Sequence, residues 1–231
     1  MILVIGEPGA GKTVLCSQVL YNGITRFDEN GLFVSLKETR AEFLREMNSF
    51  GWDFASAEKE GKFSFVDASP IRTIPGEVKI GQLTVGNPDF SLISLLEVIR
   101  KSAKAINALR IVFDSIATLD FVYMDEAQRR KAILDLVEAL SETGATCLLT
   151  SDLSSIGMGG ILEFNKYLRK SLVQLEKHMF HGTIVMDNLL QGRTLERVIT
   201  VEKMRETQTD RQPRPYRITE KGIEVYPRES V

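Results

Sequence analysis

The chain has few cysteines and no long apolar run, and both shortages limit what it can be. Its two cysteines, Cys16 and Cys147, fall within apolar helix and strand patterns. We therefore expect buried, reduced thiols and a cytoplasmic location. No apolar run approaches the ~20 residues of a membrane helix, and residues 2–5 have the pattern of a strand rather than of a signal peptide. The composition predicts no membrane insertion.

The net charge is small and histidine is scarce. A net charge of −2 provides no global field that would recruit nucleic acid, although a local basic patch remains open. The two histidines, His178 and His181, have no nearby cysteines or paired acids, so they are a weak signal for a metal site. The sequence also has no internal repeat and no low-complexity tract.

What the sequence does contain is a glycine-rich motif between an apolar strand pattern and a helical pattern. The motif is GEPGAGKT, which begins at Gly6. Glycines allow successive backbone N–H groups to turn towards an anion, while Lys12 reaches phosphates and the Thr13 hydroxyl holds Mg²⁺. The weaker alternative is a glycine turn that binds no ligand. The motif predicts a nucleotide site made of Gly6, Glu7, Pro8, Gly9, Ala10, Gly11, Lys12, Thr13 and Val14.

Short apolar strands then alternate with longer helical patterns, which is typical of a parallel sheet covered on both faces. Residues 74–88 are rich in glycine and proline and predict a surface loop or ribbon. Beyond Gly182 the apolar period becomes two, which predicts antiparallel strands. We expect an α/β fold: a mainly parallel twisted sheet in a single domain, 1–231, with 182–231 as an antiparallel β extension.

Acidic residues follow several of the predicted strands. Asp114 ends an apolar strand, where it would act on Mg²⁺ through the waters of the ion; capping of the next helix is the alternative. Glu38 follows the second strand and is a candidate catalytic base, or else an ordinary acid at a helix start. Residues 150–152, of which Ser151 is our candidate for a nucleotide contact, would sense a phosphate or form a capping turn.

Two cations, Lys203 and Arg205, follow a late strand and project to the same side. A solvated basic edge is one interpretation. The other is an arginine finger that neutralises charge on the γ-phosphate of a neighbouring subunit, so that Lys12, Glu38, Lys203 and Arg205 are the candidate catalytic residues.

At this point the chain resembles the KaiC-like branch of the RecA-type ATPases, which includes archaeal RadA-related ATPases. The resemblance covers nearly the whole length. It rests on GEPGAGKT, FVSLKETRAEFLREMNSFGWDF from Phe33, IVFDSIATL from Ile111, TSD from Thr150, VEKMRETQTD from Val201 and the terminal PRPYRITEKGIEVYP. It implies a RecA-like core, Mg-ATP bound between subunits, a ring that is usually a homo-hexamer, and Lys203 and Arg205 acting on the neighbour's phosphates.

The chain departs from the family pattern in places. Relatives usually carry two glutamates after the second strand; here Lys37 takes the place of the first and only Glu38 remains, which predicts weak hydrolysis. A glycine-rich segment that normally precedes the P-loop strand is missing. The segment 157–181 has a helical apolar stripe flanked by basic residues. This segment would either pack on the core or present a surface to DNA or a protein partner.

Three functions therefore remain open. The chain is a ring-forming Mg-ATPase that couples hydrolysis to a conformational change, a nucleotide-sensing scaffold with little turnover, or a recombination and repair ATPase that binds single-stranded DNA.

Overall fold

A computed structural model describes residues 1–68, 77–80, 83–86, 92–123, 125–152, 179–191 and 194–227. The strands are β1 (Ile2–Gly6), β2 (Gly31–Ser35), β3 (Phe63–Asp67), β4 (Glu77–Ile80), β5 (Leu83–Gly86), β6 (Arg110–Asp114), β7 (Thr146–Asp152), β8 (Gly182–Gln191), β9 (Thr194–Met204), β10 (Arg214–Thr219) and β11 (Gly222–Val225). The helices are α1 (Lys12–Phe27), α2 (Arg40–Ser49), α3 (Phe54–Lys59), α4 (Leu92–Ala105), α5 (Leu119–Val122) and α6 (Glu126–Ser141), with a short 3-10 helix at Ile116–Thr118.

Nine of these strands form one sheet in the order β11-β10-β9-β8-β1-β7-β6-β2-β3. The six strands from β8 to β3 run parallel, while β9, β10 and β11 continue the sheet in antiparallel pairs. The strand before the glycine loop, β1, lies inside the sheet between β7 and β8. The carboxyl ends of β1, β7, β6 and β2 therefore meet at one edge, where α/β sheets bind their ligands.

Both faces of the sheet are buried, as expected for parallel strands. Successive residues of β1 serve opposite faces, so that Leu3 packs in a core with α4 and α6. Val4 packs on the other side with α1, α2 and α3. The second core is rich in phenylalanine, and the rings of Phe33 in β2 and Phe43 in α2 have centroids 4.4 Å apart. This contact fixes α2 directly after the turn that carries the residues following β2.

Local signals in the sequence explain where the helices begin. The Thr39 side chain accepts from the backbone N–H of Glu42, whose carboxylate accepts from the backbone of Thr39, forming a capping box for α2. Asp125 caps α6 through the backbone N–H of Gln128. The start of α1 lacks a side-chain cap; instead Gly11 adopts φ +90° there. An uncapped start leaves backbone donors available at the end of the glycine loop.

The structure confirms the α/β fold with a parallel sheet, covered faces and a C-terminal antiparallel part. Residues 183–186 lie in β8, which pairs antiparallel with β9 as predicted and also pairs parallel with β1, so that β8 joins the parallel and antiparallel parts of the sheet. The predicted ribbon within 74–88 is the antiparallel pair of β4 and β5. The division of the chain into a single domain with an extension from 182 stays a prediction.

Two features of the described residues bear on other expectations. Cys16 and Cys147 are buried and unpaired with each other, and burial raises the pKa of both thiols. Among the described helices, none combines the length and the hydropathy needed to cross a membrane.

The tryptophan at position 52 joins two distant parts of the chain. Trp52 is 7% exposed, and its ring is stacked near Phe50 and Tyr21, with centroids 4.9 and 6.1 Å away. On another side it approaches the turn between β10 and β11, where a Cβ added to Gly222 would lie 2.5 Å from Cζ2 of the indole. The C-terminal hairpin is therefore packed against the region that follows α2.

Candidate active site

The glycine loop connects β1 to α1 and curls around the side chain of Lys12. The backbone N–H of Ala10 donates to the carbonyl of Glu7 at 3.1 Å. Lys12 is 5% exposed, and its Nζ donates to the carbonyl oxygens of Gly6 and Glu7 at 2.9 and 2.8 Å. The ammonium group is thereby held inside the loop, at the amino end of α1, where the helix dipole adds positive potential.

Gly6 is required by the close approach of a neighbouring strand. A Cβ at this position would lie 2.2 Å from the carbonyl oxygen of Met186 in β8. The backbones of β1 and β8 would have to separate to admit any side chain. The glycine that opens the motif therefore serves sheet packing as well as the turn.

Asp114 lies beside the first turn of α1 and is only 2% exposed. One carboxylate oxygen accepts from the Thr13 hydroxyl at 2.6 Å, and the other accepts from the Thr150 hydroxyl. The predicted pair of magnesium residues, Thr13 and Asp114, is thus in direct contact. Hydroxyl and carboxylate oxygens are the donors that Mg²⁺ prefers, and Mg²⁺ usually keeps waters and phosphate oxygens as its other ligands.

A second carboxylate, Asp152, stands at the end of β7 between two lysines. Its Oδ1 is 2.8 Å from Nζ of Lys12, and its Oδ2 is 2.9 Å from Nζ of Lys37. Lys37 Nζ is also 3.5 Å from Oδ1 of Asp114. Burial opposes ionisation of Asp152, but the ion pairs with the two lysines hold its pKa below the usual range. Two ammonium groups and two carboxylates therefore form one connected cluster.

Lys37 and Glu38 are positioned by the turn that follows β2. The buried Ser35 hydroxyl oxygen accepts from the backbone N–H groups of Lys37 and Glu38, at 3.2 and 2.9 Å. The next residue of the chain, Leu36, is tied to the Asp114 carbonyl by its own N–H at 2.7 Å. The turn is therefore fixed to β6 and brings both side chains to the carboxyl edge of the sheet.

Glu38 carries an unusual carboxyl group. Burial, reinforced by neighbouring carboxylates, raises the pKa of Glu38 to about 8. Among those carboxylates Glu46 contributes most, followed by Asp114, while Lys37 acts in the opposite direction. Its Oε1 is buried and has no hydrogen-bond partner among the residues that the structure describes. A pKa of about 8 makes the ionised carboxylate a stronger base than an ordinary glutamate, although only about a tenth of it is ionised at pH 7.

The C-terminal strands cover the outside of the glycine loop. The Tyr216 hydroxyl donates to the carbonyl of Ala10, and the Asn188 amide donates to the Glu7 carboxylate at 3.2 Å. Further along α1, the Gln18 side chain both donates to and accepts from the backbone of Ile223. The hairpin β10–β11 therefore contacts the loop through Tyr216 and α1 through Ile223, while Asn188 adds a contact from β8.

Lys203 and Arg205 lie elsewhere. In the register of the sheet, Met204 pairs with Gly182 and Gly182 with Ile2, whereas the loop follows Gly6 at the other end of β1. Four residues of strand separate the two ends, or about 13 Å. Lys203 Nζ donates to the carbonyl of Phe180 at 2.9 Å, and burial together with the charge of Arg205 lowers the pKa of Lys203. These two cations do not join the cluster around Lys12 of their own chain.

The structure thus brings together most of the predicted site. Val14 is buried in the first turn of α1, and Ser151 is buried in β7 next to the cluster. The predicted surface at 157–181 lies outside the described residues except at its end, 179–181. Within the described ranges, no group of three or more His, Cys, Asp or Glu side chains is arranged to hold a metal ion.

Sequence reasoning missed several contacts at the site. Asp152 was considered only as one of three residues that might sense a phosphate, although a carboxylate at the end of a strand beside β1 is a signal for a site residue. The sequence predicted no role for Tyr216 or Asn188, because a period-two pattern does not tell which side chain will meet a distant loop.

The class of protein follows from this arrangement. A glycine loop after an inner parallel strand, with a buried Asp on a nearby strand and antiparallel strands beyond β8, defines a RecA-like P-loop ATPase.

The comparisons with known proteins name the family. The family model for the KaiC ATPase matches residues 1–230, and the chain belongs to this family. It is 32% identical over 225 residues to the circadian clock oscillator protein KaiC of Synechococcus elongatus, covering 97% of this chain and 40% of that protein. The chain thus spans about two fifths of the clock proteins that it matches.

Archaeal relatives match over more of their own length. A UPF0273 protein of Pyrococcus furiosus is 33% identical over 230 residues, which cover 98% of this chain and 85% of that protein. The crystal structure of a KaiC-like protein from Pyrococcus horikoshii superposes with a TM-score of 0.75 at 33% identity, covering 98% of this chain and 88% of that one. The predicted membership of the KaiC-like branch is confirmed.

Proposed function

We propose that the chain is a Mg-ATP-binding ATPase of the KaiC type that assembles into a ring and couples its nucleotide state to a conformational change. The observation that carries this proposal is the contact between Thr13 and Asp114 beside the loop-held ammonium of Lys12. A hydroxyl, a carboxylate and an ammonium at the amino end of a helix are the groups that a magnesium-bound triphosphate needs.

Each residue has a role that its position supports. Residues Gly6 to Val14 would surround the phosphates, with Ser151 nearby on β7. Thr13 and Asp114 would hold Mg²⁺, which when bound neutralises charge on the phosphate oxygens. Glu38 would accept the proton of the attacking water in its ionised form, whose basicity is increased because burial raises its pKa to about 8.

Lys203 and Arg205 would act across a subunit boundary. Their place at the opposite end of the sheet from the loop favours action on a neighbouring copy over action on their own site. A cation from outside the loop is suited to charge that develops on the terminal phosphate. A closed ring, which in this family is usually a homo-hexamer, gives every copy such a neighbour.

A second candidate function is a nucleotide-dependent scaffold with little turnover. The observation that favours it is Lys37, which stands beside Glu38 and pairs with both Asp152 and Asp114. An ammonium with a reference pKa of about 10.4 cannot act as a base at neutral pH. Binding of single-stranded DNA through 157–181 stays a prediction, since most of that segment lies outside the described residues.

One set of measurements tests these proposals. Binding of Mg-ATP, its turnover with and without single-stranded DNA, and mass in solution with and without ATP are measured for the natural chain and for Lys12→Ala. Lys62→Met, which removes an ammonium far from the loop, is the control. We expect Lys12→Ala to lose ATP binding; if it binds Mg-ATP as tightly as the natural chain, the site assignment is wrong. Turnover that rises in Lys37→Glu would favour the scaffold.

A further inference from the structure

The carboxylate of Asp152 forms ion pairs with two ammonium groups at once. Each of its oxygens pairs with a different lysine, Lys12 at 2.8 Å and Lys37 at 2.9 Å. The two lysines come from different elements, the start of α1 and the turn after β2. One small anion thus connects the ammonium of the glycine loop to an ammonium outside it.

The three side chains differ in how far they are open to solvent. Lys12 is 5% exposed, whereas Lys37 and Asp152 are 25% and 30% exposed. The shared carboxylate therefore lies on the open side of the buried loop lysine. Lys12 has two further acceptors in the loop, the carbonyls of Gly6 and Glu7, so that it would remain fixed if its contact with Asp152 were replaced.

A terminal phosphate has the same requirements as this carboxylate: several anionic oxygens, each able to accept from an ammonium. Any anion that forms a charge-assisted hydrogen bond with Lys12 therefore competes with the carboxylate of Asp152. Because Lys12 of such a loop serves the inner and terminal phosphates of a triphosphate, an ammonium on its open side is suited to the terminal one.

We propose, on the basis of the function proposed above, that Asp152 competes with the terminal phosphate of the nucleotide for Lys12 and Lys37. When the phosphate binds, it replaces Asp152 as the partner of both ammonium groups, and Lys37 is the one outside the loop. Lys37 then determines the preference for a nucleoside triphosphate over a diphosphate. The lysine that is expected to weaken hydrolysis would then improve the chain as a sensor of which nucleotide is bound.

Opposite effects are expected from the two partners of the ion pair. Asp152→Asn removes the competing charge and keeps the shape, so Mg-ATP should bind about tenfold more tightly, with a smaller gain for Mg-ADP. Lys37→Met removes the second ammonium and keeps the stem, so Mg-ATP should bind about tenfold more weakly while Mg-ADP changes less than about twofold.

The experiment measures dissociation constants of Mg-ATP and Mg-ADP by equilibrium titration for the natural chain, both variants and the double variant. Asp28→Asn and Lys62→Met are matched controls, since they change the same charges in an exposed ion pair away from the loop. Binding of Mg-ADP shows that each variant is folded.

Failure of the inference and failure of the proposed function give different results. If Asp152→Asn binds Mg-ATP no more tightly than the natural chain, Asp152 is not a competitor and the inference is overturned. A loss of Mg-ADP affinity in Lys37→Met equal to the loss of Mg-ATP affinity overturns the selectivity of Lys37. If the natural chain binds neither nucleotide, the proposed function fails and the inference with it.

Discussion

The hydroxyl of Tyr216 donates a hydrogen bond to the carbonyl oxygen of Ala10, although the two residues are 206 positions apart. Burial raises the pKa of Tyr216 to about 12, so that the phenol stays a donor throughout the neutral range. The contact makes the C-terminal hairpin a support for the loop that begins at the other end of the chain.

We therefore expect Tyr216→Phe to weaken nucleotide binding although the hydroxyl lies outside the loop. The ring stays in place, while the buried carbonyl of Ala10 loses its donor, at a cost of about 1–3 kcal/mol in the free energy of unfolding. Urea unfolding and ATP titration measure the two effects. Tyr226→Phe makes the same change just after the hairpin. Unchanged ATP affinity in Tyr216→Phe would show that the loop keeps its shape without this support.

Thr13→Val tests the assignment of the metal-binding pair. Valine has nearly the shape of threonine but no oxygen to hold Mg²⁺ or to donate to Asp114. ATP affinity in the natural chain should rise at least about tenfold when Mg²⁺ is added, and Thr13→Val should lose most of that gain. Thr25→Val, in the exposed part of the same helix, is the control. A variant that responds to Mg²⁺ like the natural chain would remove Thr13 from the metal site.

Glu38 should make the stability of the fold depend on pH. Its pKa is raised from 4.5 to about 8 in the folded chain, so between these values the folded state keeps a proton that the unfolded state has released. The free energy of unfolding should therefore fall as the pH rises through this window. In Glu38→Gln it should fall less, because glutamine does not titrate.

The measurement is the urea midpoint of both chains at several pH values from 5 to 9. Glu60→Gln, at an exposed position after α3, controls for the substitution itself. Parallel pH profiles for the natural chain and Glu38→Gln would contradict the raised pKa. In a separate assay, turnover of ATP at the natural rate by Glu38→Gln would exclude Glu38 as the base.

Mixing two inactive variants tests whether Arg205 acts on a neighbouring copy. Neither Lys12→Ala nor Arg205→Ala should turn over ATP alone. In rings mixed at random in equal amounts, about a quarter of the interfaces would join an intact Lys12 to an intact Arg205, so about a quarter of the activity should return.

Mixing Lys12→Ala with the double variant Lys12→Ala/Arg205→Ala provides the control, because no interface then contains Lys12. Subunit exchange is checked by mass with differently sized copies. Exchange without recovery of turnover would place the action of Arg205 within its own subunit, or limit it to structure.

The parts of the fold that the sequence predicts are those with local signals. The glycine loop, the capping residues and the alternation of strand and helix depend on neighbours in sequence, so β1, α1 and the acid at the end of β6 were all predicted. The short helix α3 was missed because six residues contain too little periodicity to be recognised. The parallel pairing of β8 with β1 was not predicted, because apolar alternation is the same in parallel and antiparallel pairs.

The same distinction holds for the site. Lys12, Thr13 and Asp114 follow from a motif and from the end of a strand, and the structure brings them together. The double ion pair of Asp152 depends on which strand lies next to β1, and the contact of Tyr216 depends on how a hairpin folds back over α1. Both are tertiary events that no local pattern encodes.

The position of Trp52 gives the chain its own optical probe. It is the one tryptophan in the sequence, and its indole lies against the turn of the hairpin that carries Tyr216. Any displacement of that hairpin changes the solvent around the indole and hence the wavelength of its emission. Fluorescence of the unlabelled chain therefore reports directly whether the C-terminal hairpin shifts when a nucleotide enters the loop.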